Sequence, residues 1–239
     1  GALEWVASGE PIMPYEPSLT PEAWVRNTEL FLEQTLATLP GRYAYELRVD
    51  PPLSAEQADE LAASLPRPMP ACVREFLTQG ASGVRFSYRR DMPQPDLAEV
   101  HQTLSPFFEI KGAAELLIAE ELAELIDDVE AWCGTWIADF PEDLAIWSTA
   151  FPILATGFGD YLAIDQRPGT VGEPVIYLCH EDHSRVIAPS LPAFLATWQA
   201  IRYVSPGLLS YDELFDSDGL LSAETDAALA LRRLFGDEV

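Results

Sequence analysis

Positive charge is scarce in this 239-residue chain: 14 Lys and Arg stand against 39 Asp and Glu, a formal net charge of -25. Such a field repels phosphate backbones and anionic membranes and draws in basic partners, which argues against nucleic acid as the ligand. Cysteine is scarce too. Cys72, Cys133 and Cys179 lie far apart in apolar stretches without CxxC spacing. Neither a disulfide framework nor a cysteine metal site is expected, and the three read as reduced core residues of a cytoplasmic protein. There is no secretory h-region and no apolar run of membrane-spanning length, so no membrane association is expected. Internal repeats and low-complexity tracts are also missing.

Motifs of catalysis are missing as well. No G-x-S-x-G elbow occurs, and no cysteine carries a local sign of activation. Gly157, Gly159 and Asp160 look like part of a phosphate loop, but no Walker lysine follows and the next residues read as strand. They are expected to form a structural turn. His180 and His183 in the tetrapeptide HEDH carry metal-ligand chemistry at short spacing. The pattern is not HExxH and follows a strand, so a polar strand exit is the first expectation and a metal-dependent hydrolase the least favoured one. No cofactor is expected.

What is present specifies a folded chain. Nearly half the residues (48%) are apolar and 10% aromatic, enough for a sizeable core, while 20 prolines promise many loops. The densest set of local signals spans residues 151–202, read as short strands, a G-x-G-D turn and an amphipathic helix opened by Ser190. Residues 1–20 read as an extended arm. Pro21 after Thr20 opens a helix with Trp24, Phe31, Leu32 and Leu39 on one side, ending near Pro40 and Gly41. Tyr43 to Val49 alternate as a strand. Ser54 and Gln57 form a capping box before Ala58, Leu61, Ala62 and Leu65. Pro70 starts another helix with Val73, Phe76 and Leu77 inward and Gly80 as its left-handed terminator.

Val84, Phe86 and Tyr88 then alternate with Arg85, Ser87 and Arg89, giving a core face and a basic face. These arginines, with Arg90, are expected to pair with neighbouring carboxylates. Phe107 to Gly112 is the expected partner strand. From Ala119 to Cys133, Leu122, Leu125, Ile126, Val129 and Trp132 mark an amphipathic helix whose other face holds Glu120, Glu121, Glu124, Asp127, Asp128 and Glu130. Like charges one turn apart cost roughly a few tenths of a kcal/mol per pair, which suggests a reason to retain them. A solvated helix face is the default, yet this face is the best candidate to meet a positively charged protein, and Asp139, Glu142 and Asp143 extend it. Residues 210–222 read as an acidic linker, and Ser222 is the expected cap of a last helix.

The order of these features resembles the SUKH superfamily of fungal cell-wall-assembly regulators and bacterial immunity proteins. The resemblance rests on LPRPMPACVREFLTQG, on FPILATGFGDYLAID, on EPVIYLCHED and on SLPAFLATW, over roughly residues 50–202. It departs from the family at Gln79, Gly80 and Ala81, where an Asn-Gly-Gly-like turn is usual. The acidic helix is also longer than the usual middle section.

The resemblance implies an α+β protein: one SUKH-like domain over residues 49–205, a mixed or antiparallel sheet with helices packed on it. A helical extension over 1–48 and an acidic linker and helix over 206–239 complete the expected organisation. For bacterial members it implies a non-enzymatic immunity protein that binds and neutralises a cognate toxin, many such toxins being basic nucleases. The alternative is an intracellular scaffold or regulator of the cell-wall type, binding through its extensions.

Overall fold

Thr20 opens the first helix: its Oγ1 accepts the Ala23 N–H at 3.2 Å, and Pro21 occupies the first helical position. The computed structural model describes residues 18–39, 41–92, 94–106 and 108–237. The expected arm therefore lies outside the described residues up to position 17. Helix α1 (Pro21–Leu30) runs through a π-helical turn, Phe31–Thr35, into α2 (Leu36–Thr38). Trp24, Phe31, Leu32 and Leu36 are buried, so the apolar stripe faces the core as its spacing requires.

Strand β1 (Arg42–Asp50) leads to α3 (Ala55–Ser64), whose capping box is complete. Ser54 Oγ accepts the Gln57 N–H at 3.2 Å, and Gln57 Oε1 accepts the Ser54 N–H at 2.9 Å. Helix α4 (Ala71–Glu75) continues into a π-helical turn, Phe76–Gly80. Its N-terminus has a distant cap: the Glu173 carboxylate accepts the Ala71 and Cys72 N–H groups, each at 2.7 Å. Gly80 corrects an expectation, because its φ is not left-handed. A Cβ there would sit 2.8 Å from the Pro21 Cβ, so glycine is needed for the close seating of α1.

Strand β2 (Gly83–Asp91) is followed by α5 (Ala98–Thr103) and β3 (Ile110–Leu116). The last strand starts later and runs further than the pattern Phe107 to Gly112 implies. Its register explains this, since Val84 pairs with Leu116 and Arg85 with Glu115. Phe107 itself lies outside the described residues. A short 3-10 turn, Ala119–Glu121, introduces α6 (Leu122–Cys133), and α7 (Pro141–Trp147) follows. Four strands come next: β4 (Phe151–Ala155), β5 (Tyr161–Ile164), β6 (Val175–Leu178) and β7 (Arg185–Ala188). Ser190 caps α8 (Leu191–Ala200), accepting the Ala193 N–H at 3.3 Å. Consecutive left-handed residues, Arg202 and Tyr203, turn the chain after it. The last helix, α9 (Asp226–Leu234), is capped by Thr225 instead of Ser222. Ser222 serves the turn before it, where its Oγ accepts the Glu224 N–H.

The strands form two antiparallel sheets, one ordered β1-β2-β3 and one ordered β4-β5-β6-β7. A bond from the Leu117 N–H to the Ile153 carbonyl, 3.0 Å, ties the end of the first to the second. Their coverage differs, and that difference positions the site. In the second sheet Leu162, Ile164, Val175 and Tyr177 join the main core, which includes α1, α8 and α9. Tyr161, Ala163, Ile176 and Leu178 on its other face join a second cluster with Val129 of α6 and Trp147 of α7. Burial on both faces explains why these strands read as continuous apolar runs. The first sheet is covered on one face only. Val84, Phe86, Tyr88, Ile110, Ala114 and Leu116 enter the main core. Glu46, Arg48, Ala113 and Glu115 stay exposed on the other face.

Candidate protein-binding groove

The open face of the first sheet forms the floor of a groove of about 910 Å³. Glu46 and Arg48 of β1, Arg85 and Ser87 of β2, and Ala113 and Glu115 of β3 line this floor. Glu121, Glu124, Leu125 and Asp128 make the wall, and Ala155, Thr156 and Gly157 close one end. Alternation along the strands puts these floor residues on one face, while Ala113 and Ser87 keep its centre low. A smaller depression of about 380 Å³ continues over Ala44, Arg89 and Lys111.

Arg85 organises the groove. It donates to Asp50 at 2.9 Å, to Glu121 at 2.8 Å and to Glu120 at 3.3 Å, joining the sheet to the start of α6. The hydrogen bond to Glu121, above all, holds its guanidinium above the ordinary value against the opposing effect of burial. Three other basic side chains of this face have partners of their own. Arg48 pairs with Asp50, Arg89 with Asp91, and Lys111 with Glu109. Arg48, Arg85, Arg89 and Lys111 are thus matched by carboxylates of their own strands and of the helix.

The six carboxylates of the acidic helix separate into two groups. Glu120 and Glu121 are engaged by Arg85, and Glu130 pairs with Arg67 at 3.3 Å. Arg67 is buried and also donates to the Trp147 and Ala150 carbonyls, so Glu130 belongs to a structural anchor. Glu124, Asp127 and Asp128 are exposed, and none has an ion-pair partner among the described residues. Glu46 across the groove is in the same position. Asp143, expected to extend the acidic face, is buried, with His183 Nδ1 3.5 Å from its Oδ2.

The G-x-G-D turn closes the groove through backbone geometry. Gly157 and Gly159 have φ of +86° and +87°, and the Thr156 N–H donates to the Asp160 carbonyl at 3.0 Å. Asp160 also locks the strand exit. Its Oδ1 accepts the His180 N–H at 2.8 Å and lies 2.7 Å from His180 Nδ1, while its Oδ2 accepts the Tyr177 hydroxyl at 2.9 Å. Burial first, then the negative Asp160, pushes the Tyr177 hydroxyl up and keeps it a donor. The His180 ring packs on Trp132 with centroids 4.9 Å apart, which connects this lock to α6.

His180 and His183 therefore face different partners. Among the described residues no three His, Cys, Asp or Glu side chains converge as a metal site. The cysteines are unsuited to nucleophilic work: burial, joined at Cys72 by Glu173, pushes all three thiols up. No helix among the described residues is long and apolar enough to cross a membrane.

Exposed aromatics complete the surface. Phe158, 75% exposed, stands on the turn one residue beyond the groove-lining Gly157. Trp136 and Phe140, also exposed, pack edge to face at 5.3 Å beyond the end of α6. Reading the glycines as a turn overlooks Phe158, although an aromatic between two left-handed glycines has little to pack against.

The SMI1 / KNR4 family (SUKH-1) matches residues 52–197, more than half of the chain. The chain belongs to this family. Comparison with curated proteins and with solved structures gave no match. The SUKH-1 match takes in α3, the whole second sheet and the groove except its β1 side. α1 and α9 lie outside it, yet both contribute to the main core.

Proposed function

We propose that this SUKH-1 chain is a non-enzymatic, immunity-type protein that binds and neutralises a basic toxin domain in the groove beside α6. The observation that carries the reading is the uncompensated pair Glu124 and Asp128 lining one concave surface, with the exposed Asp127 beside them on the same helix, in a chain with net charge -25. A field of this sign speeds encounter with a basic partner and orients it, and a nuclease's nucleic-acid site is such a surface. Phe158 at the rim supplies the apolar anchor that charge alone lacks. The regulator reading gives binding to the terminal extensions. The apolar faces of α1 and α9 are spent on the core, which favours the groove.

Co-expression with a basic toxin domain encoded beside the protein tests this. The wild-type chain is expected to restore growth and to co-purify with the toxin. The variant Glu124→Lys/Asp127→Lys/Asp128→Lys is expected to bind about 10- to 100-fold more weakly. Its stability should change by no more than a few tenths of a kcal/mol, because the three side chains are exposed and positions 124 and 128, one turn apart, carry like charges before and after the exchange. Equal protection and equal affinity would remove the acidic groove from the account.

A further inference from the structure

Strand β1 leaves an edge open. It pairs with β2 alone, and among the described residues its other edge has no strand partner. Long edge strands are normally protected by charged side chains, proline, bulges or brevity, since unpaired N–H and C=O groups invite another chain. This strand is nine residues long, carries no proline, and pairs with β2 without a register shift. Its core-side residues are incompletely covered: Tyr43 and Tyr45 are 42% and 39% exposed, and Leu47 and Val49 are half-buried. An apolar strip thus runs beside the open edge.

The sequence of β1 is self-complementary in one antiparallel register. With Leu47 on a twofold axis normal to the sheet, Glu46 of each copy faces Arg48 of the other, and Tyr45 faces Val49. The neighbouring registers are worse. Glu46 on the axis pairs Arg42 with Asp50 but sets the two Glu46 against each other. Arg48 on the axis opposes two arginines, and Tyr45 on the axis sets Arg42 against Arg48. Arg48 is 62% exposed and, among the described residues, bonded only to Asp50 of its own strand, so it is placed to reach across.

We propose that a second copy of this chain pairs along β1 with Leu47 on the dyad, joining two three-stranded sheets into one continuous sheet. The dimer covers Tyr45, Leu47 and Val49 of each copy. Because the axis is normal to the sheet, both open faces lie on the same side. Two acidic grooves then flank the dyad, and the assembly presents two binding surfaces in one direction.

Sedimentation equilibrium of the full chain without any other protein tests the pairing separately from toxin binding. The wild type is expected to be dimeric. Glu46→Arg and Arg48→Glu should each weaken the dimer by about tenfold or more, and the double swap should restore it. Unchanged circular dichroism would show that the single variants still fold. Leu47→Cys should give a reducible crosslinked dimer that the wild type does not give. A monomeric wild type overturns the proposal, as does a monomer that dimerises only once residues 1–17 are removed, since that segment would then be the edge's occupant. A dimer indifferent to Glu46→Arg also overturns it, by placing the interface elsewhere.

Discussion

Replacing Trp198 by alanine is expected to cost about 3–5 kcal/mol of folding free energy, a large part of what a domain of this kind possesses. Trp198 is fully buried, with its ring stacked on Trp24 and Phe194 at centroid distances of 5.9 and 5.4 Å. Phe86 and Tyr203 close the remaining sides at 5.8 and 6.0 Å, and its Nε1 donates to the Val204 carbonyl at 2.9 Å. One side chain therefore connects α1, β2, α8 and the left-handed turn after α8. Truncation removes apolar burial, leaves a cavity that four rings cannot collapse into, and strips the Val204 carbonyl of its donor. Urea denaturation checks this. A loss below about 1.5 kcal/mol would mean that the cluster repacks and is not the structural centre.

The second large effect concerns the other end of the chain. Asp237 accepts from Arg202 and, at 3.2 Å, from Arg232; all three side chains are nearly buried. Arg232 also donates to Glu224 and to the Ala223 carbonyl, so α9 is clamped to the turn after α8 by a shared carboxylate. Burial lowers the proton affinity of Arg202, and Asp237 is the main group opposing that. Asp237→Ala leaves a buried cation without its counter-charge, for which about 3–5 kcal/mol is expected. Hydrogen exchange should show α9 opening earlier than α8. Asp237→Asn retains an acceptor and should lose less. Equal protection of α9 in wild type and Asp237→Ala would contradict the clamp.

Much of the fold is legible because its signals are local. Thr20 with Pro21, the capping box of Ser54 and Gln57, and the Ser190 cap each announce a helix through groups three residues apart. The alternation of Val84, Phe86 and Tyr88 likewise announces a strand with one buried face. What escapes the sequence depends on distant partners. Glu173 caps α4 from about a hundred residues away, and the end of β3 is set by pairing with β2 across its alanines. Gly80 reads as a helix terminator, but it is glycine because Pro21 lies against it.

The candidate surface shows the same limit. Six carboxylates are visible as one helical face, yet only their distances to Arg85 and Arg67 separate the structural Glu120, Glu121 and Glu130 from the uncompensated Glu124, Asp127 and Asp128. The groove itself needs three strands whose order no local pattern reveals. Gly157, Gly159 and Asp160 are turn residues by sequence, and the structure adds what they support: the lock on His180 and Tyr177, and the presentation of Phe158.

These points make the uneven coverage of the two sheets the basis of the functional reading. The second sheet is sealed on both faces and supplies rigidity, while the first keeps one face open beside an acidic helix. Rigid support for an open charged surface suits fast, oriented capture of a basic protein.

The most direct measurement is stopped-flow association with a basic toxin domain of the kind we propose as partner, as a function of salt, for the wild type and for Glu124→Lys/Asp127→Lys/Asp128→Lys. The account predicts a wild-type rate that falls steeply with ionic strength. The variant should associate at least about tenfold more slowly at low salt, with a much flatter dependence. Indistinguishable rates and salt slopes for the two proteins would contradict it.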